Sequence, residues 1–320
     1  MARKTGTTDK KKAAVKSEAK KLTENQIMLQ AGAQIAKKSN LQSMLLYIDC
    51  LDDMAELAEL DYTGSPRIIL VARSQEAYEM AKGFCKTIVQ VPEVNLTRMS
   101  QIKMAVMLSF SQRLLHPGER FIFLTGLTQG KLDTMMVMEV GREYEMFQTV
   151  DQPPLTEHIR RAVFERVLSL ALELAAEGRE GKPIGAIFVL GDSTEVSANS
   201  QQIIINPFKG YSESERNILD SQMTETVKEF AAIDGAFVIK GTGVIVSAGT
   251  YLLPKLVSEE LPLGVGARHA AAAAITAATR SIAITISEST GMVRIWRQGR
   301  LITEIEKAQR RGDYSGSVIG

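Results

Sequence analysis

A chain of 320 residues is long enough for two domains, and with 45% hydrophobic and 23% charged residues it can build a sizeable core in each. No apolar run is long enough to cross a bilayer, the N-terminus lacks the apolar stretch of a secretion signal, and the two cysteines, Cys50 and Cys85, lie among apolar residues without CxxC spacing. These features exclude a membrane-spanning channel, a disulfide scaffold and a thiolate metal centre, and they read as a cytoplasmic protein with reduced thiols. The net charge of +1 is unevenly spread: residues 1–22 carry eight Lys/Arg against two acids, +6, which leaves −5 for the rest. That tail reads as flexible and solvated. Nothing aromatic interleaves its lysines, so nucleic acid is not an expected partner.

After the tail, a polar helical stretch at 23–38 leads into "MLLYI" at 44–48. Strands and helices then alternate: "RIILVA" (67–72) before a helix at 74–84, "TIVQV" (87–91) before a helix at 98–115, "FIFLTG" (121–126), and "TMMVMEV" (134–140). Apolar strands separated by helices predict a parallel sheet covered on both faces, an α/β domain over 23–150. It has no GxGxxG and no GxxxxGK[ST], so no phosphate loop is visible in it. Pro153-Pro154 marks a boundary, because paired prolines forbid a helix and stiffen a linker.

The second domain, 155–310, opens with a predicted amphipathic helix at 156–177, on which Ile159, Val163, Val167, Leu170 and Leu174 fall at helical spacing. "IGAIFVLG" (184–191) reads as a buried strand, and a helix is predicted over about 215–231. Two strands joined by Gly241-Thr242-Gly243 form a hairpin signal, as do the strands of "MVRIWRQGRLI". With the strand "SIAITIS" (281–287) between them, these elements predict a mixed-sheet α/β fold. Residues 311–320 read as a flexible end.

Three places in this half combine turn geometry with reactive groups. Asp234-Gly235-Ala236 sets a carboxylate before residues small enough for a ligand to approach the backbone; oxygen donors of this kind suit Mg²⁺ or Mn²⁺. In "GVGARHAAAAA" (264–274) the alanines should open a helix, with Arg268 and His269 in its first turn. Free N–H groups and the positive end of the dipole make that place an anion site, reinforced by the planar Arg268 cation and a second donor in His269. Gly266 lets the chain come close to a ligand, and Ala267 and Ala270 add no bulk. Glu288, in the turn "SESTG" after a strand, can complete a cation site begun by Asp234. Each has a plainer reading as a turn aspartate, a capped helix or an exposed glutamate. Taken together they favour phosphoryl or nucleotidyl transfer, chemistry that depends on positioning and charge stabilisation.

The pattern "DGAFVI…G…VSAG…LP…GARHAAA…IT…IAITISESTG", with "IGAIFVLGDS" and "NPFKGY" ahead of it, resembles the catalytic domain of the DisA-type diadenylate cyclases over about 160–305. The α/β domain ahead of it, similar to the C-terminal domain of pyruvate kinase, resembles the archaeal DacZ-type arrangement. The resemblance implies a nucleotidyltransferase that condenses two ATP into cyclic di-AMP and releases two pyrophosphates, aided by Mg²⁺ or Mn²⁺. It assigns Asp234 to the metal or to activation of the 3′-hydroxyl, Arg268 and His269 to the phosphates, and Glu288 to the metal. Gly235, Ala236, Leu252, Gly266, Ala267, Arg268, His269 and Ala270 would line the nucleotide site, with Leu252 packing on adenine. The family's fuller motif reads Arg-His-Arg; here Ala270 stands third, which leaves an inactive sensor of adenine nucleotides or cyclic di-AMP as the alternative. The product's two-fold symmetry implies self-association, with each subunit holding one ATP.

Overall fold

A computed structural model describes residues 22–126, 130–142, 158–253 and 266–307. The basic tail up to residue 21, the Pro153-Pro154 linker, Gly264-Val265 and the C-terminal end lie outside the described residues.

The first unit begins with α1 (Glu24–Lys38), whose start is fixed by a reciprocal capping box between Thr23 and Gln26. Then follow β1 (Ser43–Tyr47), two short 3₁₀ turns, β2 (Arg67–Ala72), α2 (Gln75–Ala81), β3 (Ile88–Gln90), α3 (Arg98–Ser111), β4 (Arg120–Thr125) and β5 (Thr134–Glu139). The sheet order is β3-β2-β1-β4-β5, and the first four strands are parallel. The α1 helix lies on one face, where Gly32 admits the Leu124 and Met44 side chains; α3 lies on the other, where Thr125 donates to Gln101. The α/β class is therefore as the alternation predicts. One edge departs from it: β5 runs antiparallel to β4. The connection between them, 126–133, is too short for a crossover, which needs a dozen or more residues, so only a hairpin-like return is open.

The second unit comprises α4 (Arg161–Glu177), β6 (Ile187–Leu190), α5 (Ser193–Ala198), β7 (Ser200–Gln202), α6 (Met223–Phe230), β8 (Ala236–Ile239), β9 (Ile245–Leu252), α7 (Ala267–Ala278), β10 (Ile282–Ile286), β11 (Val293–Arg297) and β12 (Arg300–Ile305). Its seven strands run β12-β11-β10-β6-β8-β9-β7, with β6 and β8 parallel and the other pairs antiparallel. Alternation along the central strands sorts the core into two layers. Phe188, Leu190, Phe237, Ile239, Ile282 and Ile284 pack in the cluster that holds α4, while Ile187, Val189, Val238, Ala283 and Trp296 pack with Ala272, Ala273 and Ile275 of α7. The helix expected from about 215 begins only at Met223, because Asn217 and Asp220 spend their carboxamide and carboxylate oxygens on the N–H groups of Leu219 and Gln222. Such local bonds hold the backbone in turns.

Among the described residues the two units touch along a seam where α3 meets β12 and α4. The Thr97 N–H donates to the Glu306 carbonyl at 3.3 Å, the Glu306 N–H donates to Ser100 Oγ at 2.8 Å, and Gln112 donates to Glu165 at 3.1 Å.

Candidate active site

Three adjacent strands deliver three residues to one edge of the second sheet. Asp234 and Gly235 immediately precede β8, Gly185 precedes β6, and Glu288 follows β10. Because β6 and β8 are parallel and β10 is antiparallel to β6, the starts of the first two and the end of the third lie side by side. The order β10-β6-β8 therefore sets Glu288, Gly185 and Asp234 in a row, and α7 opens above it.

The α7 helix starts at Ala267 with Gly266 as its N-cap, which places Arg268 and His269 in the first turn as the alanine run predicts. Arg268 reaches down onto the row. One guanidinium nitrogen donates to Glu288 Oε2 at 2.9 Å and the other to Asp234 Oδ1 at 3.0 Å. These are charge-assisted bonds from the two arms of one planar cation. The carboxylates remain open to solvent, with the Asp234 side chain 89% and the Glu288 side chain 58% exposed. Beside Glu288 runs a cleft of about 930 Å³ that is lined on one side by Ser287–Met292 and on the other by Thr97, Glu306 and Lys307 at the seam.

The structure separates His269 from this group. Neighbouring helical residues point about 100° apart, so with Arg268 at the mouth its neighbour turns inward. The His269 side chain is buried edge-on against Trp296, ring centroids 6.1 Å apart, and its Nε2 has no hydrogen-bond partner. Burial, helped by the charges of Arg294 and Arg268, pushes its pKa down to about 4, so the ring is neutral near pH 7. The expectation that the His269 ring grips phosphate thus meets an imidazole held in the core. Leu252 is buried too, at 6% exposure in the layer beneath α7, while Tyr251 and Leu253 on either side of it are exposed.

Gly235 is required by geometry. Its φ is +114°, and a Cβ there would lie 2.6 Å from the backbone of Gly249 and Thr250 on β9. Ala236 is the buried first residue of β8. Gly266 has an ordinary φ of −66° and open space where a Cβ would stand; Gly266 and Ala267 are exposed and Ala270 is half-buried, so all three leave the helix mouth unobstructed. Gly185 is the participant that reasoning from sequence missed. It lies directly beneath the Arg268 guanidinium, in a segment that otherwise reads as plain apolar strand.

For a divalent cation the site offers Asp234 and Glu288, both hard oxygen donors. Among the described residues no group of three or more His, Cys, Asp or Glu could hold a metal ion. A two-carboxylate set fits Mg²⁺ or Mn²⁺ in the way Mg²⁺ is commonly bound, by one or two carboxylates with phosphate oxygens and water supplying the rest.

The family described as "DisA bacterial checkpoint controller nucleotide-binding" matches residues 173–301, a span that holds Gly185, Asp234, Arg268 and Glu288. That described as "Probable sensor domain DacZ_P" matches residues 24–149. A diadenylate cyclase of Methanocaldococcus jannaschii is 37% identical over 213 residues, 64% of this chain and 66% of that protein. A diadenylate cyclase of Haloferax volcanii is 33% identical over 226 residues, 69% of this chain and 80% of that protein. The chain belongs to the diadenylate cyclase family. Among solved structures, DacA from Staphylococcus aureus superposes with a TM-score of 0.29 at 21% identity, covering 43% of this chain and 83% of that one. A pyruvate kinase from Cryptosporidium parvum superposes with a TM-score of 0.31 at 16% identity, covering 38% of this chain and 23% of that one. Diadenylate cyclases are nucleotidyltransferases, and the groups on this sheet edge are of the kind such chemistry needs: carboxylates for a cation, an arginine for phosphate oxygens, and the N–H groups of a helix start. No helix among the described residues is long and apolar enough to cross a membrane.

Proposed function

We propose that this chain condenses two ATP molecules into cyclic di-AMP and releases two pyrophosphates, with residues 155–310 as the catalytic domain and residues 23–150 as a domain that acts on it. The observation that carries this reading is the single guanidinium of Arg268 bonded to both Asp234 and Glu288 at the mouth of α7. The Arg268 side chain is positioned to turn from carboxylates to phosphate oxygens, where it offsets the charge that grows as pyrophosphate departs. Arg268 lies in the first turn of α7, so the positive end of that helix adds to its charge there. Asp234 and Glu288 would hold the Mg²⁺ or Mn²⁺, which when bound supplies Lewis-acid polarisation of the α-phosphate. Gly235 and Ala236 leave room for the nucleotide beside Asp234. Neutral His269 acts from beneath, as packing that fixes the first turn of α7 on Trp296.

Each 3′-oxygen must meet the partner nucleotide's α-phosphorus in line, so two copies of this edge face each other across a two-fold axis. The direct test is incubation with ATP and Mg²⁺ or Mn²⁺ and a search for the dinucleotide by mass. Asp234→Asn should lower the rate at least about 100-fold, the scale of losing a group that stabilises developing charge, without changing the circular dichroism of a residue so exposed. Undiminished turnover by that variant removes Asp234 from the mechanism. Rate per subunit should fall on dilution below the dissociation constant of the dimer; constant specific activity in a demonstrably monomeric preparation refutes the two-copy site. Tight nucleotide binding with no turnover under either metal would favour the inactive sensor.

A further inference from the structure

We infer that Gly185 is a positioning residue: its bare backbone seats Arg268 across Asp234 and Glu288, so that Arg268 holds the cation's two ligands until a triphosphate draws it away. The inference rests on the cyclase reading for the identity of the site, while its geometry stands on the sheet alone. Strands β8 and β10 are separated by β6, so the row spans two inter-strand spacings, about 9–10 Å. A guanidinium lying across the middle strand reaches both, and it does so with one nitrogen for each. The middle strand must then present nothing above its backbone. A Cβ on Gly185 would stand 2.6 Å from one terminal guanidinium nitrogen of Arg268, 2.9 Å from its Cζ and 3.1 Å from Glu288 Cβ. Gly185 is itself buried, so the added methyl has no other way to go. The group that must yield to such a methyl is the Arg268 guanidinium, the free end of a flexible side chain.

Two carboxylates bonded to one cation carry a net charge of −1 between them, and that cation sits between the oxygens a divalent ion would use. A metal ion without nucleotide must compete with Arg268. A triphosphate offers the guanidinium a better set of oxygens, and its departure frees Asp234 and Glu288 together. Metal and nucleotide affinity are thereby coupled, and by linkage the coupling is reciprocal.

The test is Mn²⁺ binding to the full chain in the absence of nucleotide, read by the loss of the free-ion electron paramagnetic resonance signal and by calorimetry. Arg268→Ala should tighten Mn²⁺ binding at least about tenfold, since a positive charge roughly 4 Å away repels a divalent ion even in a water-like dielectric. Gly185→Ala should tighten it in the same direction, and the double variant should bind no tighter than Arg268→Ala alone, because Gly185 acts only through Arg268. In turnover, Gly185→Ala should raise the KM for ATP more than it lowers kcat, as befits a displaced substrate ligand. Should Gly185→Ala fail to fold, Arg268→Ala and the shorter-reaching Arg268→Lys decide the question. Mn²⁺ binding by Arg268→Ala no tighter than by the wild type overturns the inference, as does additivity of the two substitutions. Absence of dinucleotide from the wild-type chain would sink the cyclase reading while leaving these binding results unchanged, so the two failures are told apart.

Discussion

His269 supplies a quantitative test of how α7 is anchored. Its ordinary pKa is 6.5 and in the folded chain it is about 4, mainly because the ring is buried against Trp296. A lowered folded-state pKa means that the unfolded chain binds the proton more readily, so stability is fully present above pH 6.5 and is lost as pH falls toward 4. Each pKa unit is worth 1.36 kcal/mol, which gives about 2 kcal/mol lost between pH 7.5 and 5 and a limit of roughly 3 kcal/mol below pH 4. His269→Gln keeps a neutral polar side chain of similar reach and removes the titration. Urea unfolding of both proteins at a series of pH values, followed through Trp296, the single tryptophan of the chain, isolates the difference. The wild type should lose about 2 kcal/mol more than the variant over that interval. Parallel pH profiles would refute the account of a histidine kept neutral by burial, and with it the assignment of His269 to the core.

Two further substitutions probe the scaffold of the site. Gly235→Ala forces a side chain into a φ of +114° and against rigid backbone at 2.6 Å, whereas Gly249→Ala, at φ +63°, meets the movable Ile204 side chain at 2.5 Å and the Asp234 carbonyl at an ordinary 3.8 Å. The first should lower the thermal midpoint distinctly more than the second, and equal shifts would show that β8 and β9 adjust freely. Ser100→Ala removes the acceptor for the Glu306 N–H at the seam, at a cost of about 1 kcal/mol. Hydrogen exchange at Glu306 should quicken by severalfold; unchanged protection would mean that another group holds that amide.

Much of the fold was legible because local chemistry and tertiary packing agree. Gly241-Thr242-Gly243 turns β8 into β9 as its paired glycines suggest, and the alanine run does open a helix with Arg268 in its first turn. The edge strand β5 could have been read correctly from the short connection after β4 alone. Part of what remained hidden lies in the order in which strands sit side by side. The turn after "SIAITIS" offers Glu288 as a partner for Asp234, but nothing in that stretch states that β10 inserts next to β6, so the emptiness required at Gly185 is invisible along the chain. The Arg268–His269 pair, read along the chain as a unit, is split in the fold for a different reason. Adjacency in sequence suggested a shared task, while 3.6 residues per turn sends the two side chains to different surfaces.

The exposure of the site carries one more consequence for the proposed chemistry. Electrostatic stabilisation is worth most where water is excluded, yet on a single chain Asp234 and Glu288 stand largely in solvent. The described surroundings of the row offer no cover: Gly266 and Ala267 are small and exposed. A facing copy, brought across a two-fold axis to supply the second nucleotide, would also close this edge from water. Under that reading, assembly and catalytic power have the same origin. Substitutions that loosen the pair should therefore depress the rate of chemistry at saturating ATP, even when each isolated subunit still binds its nucleotide.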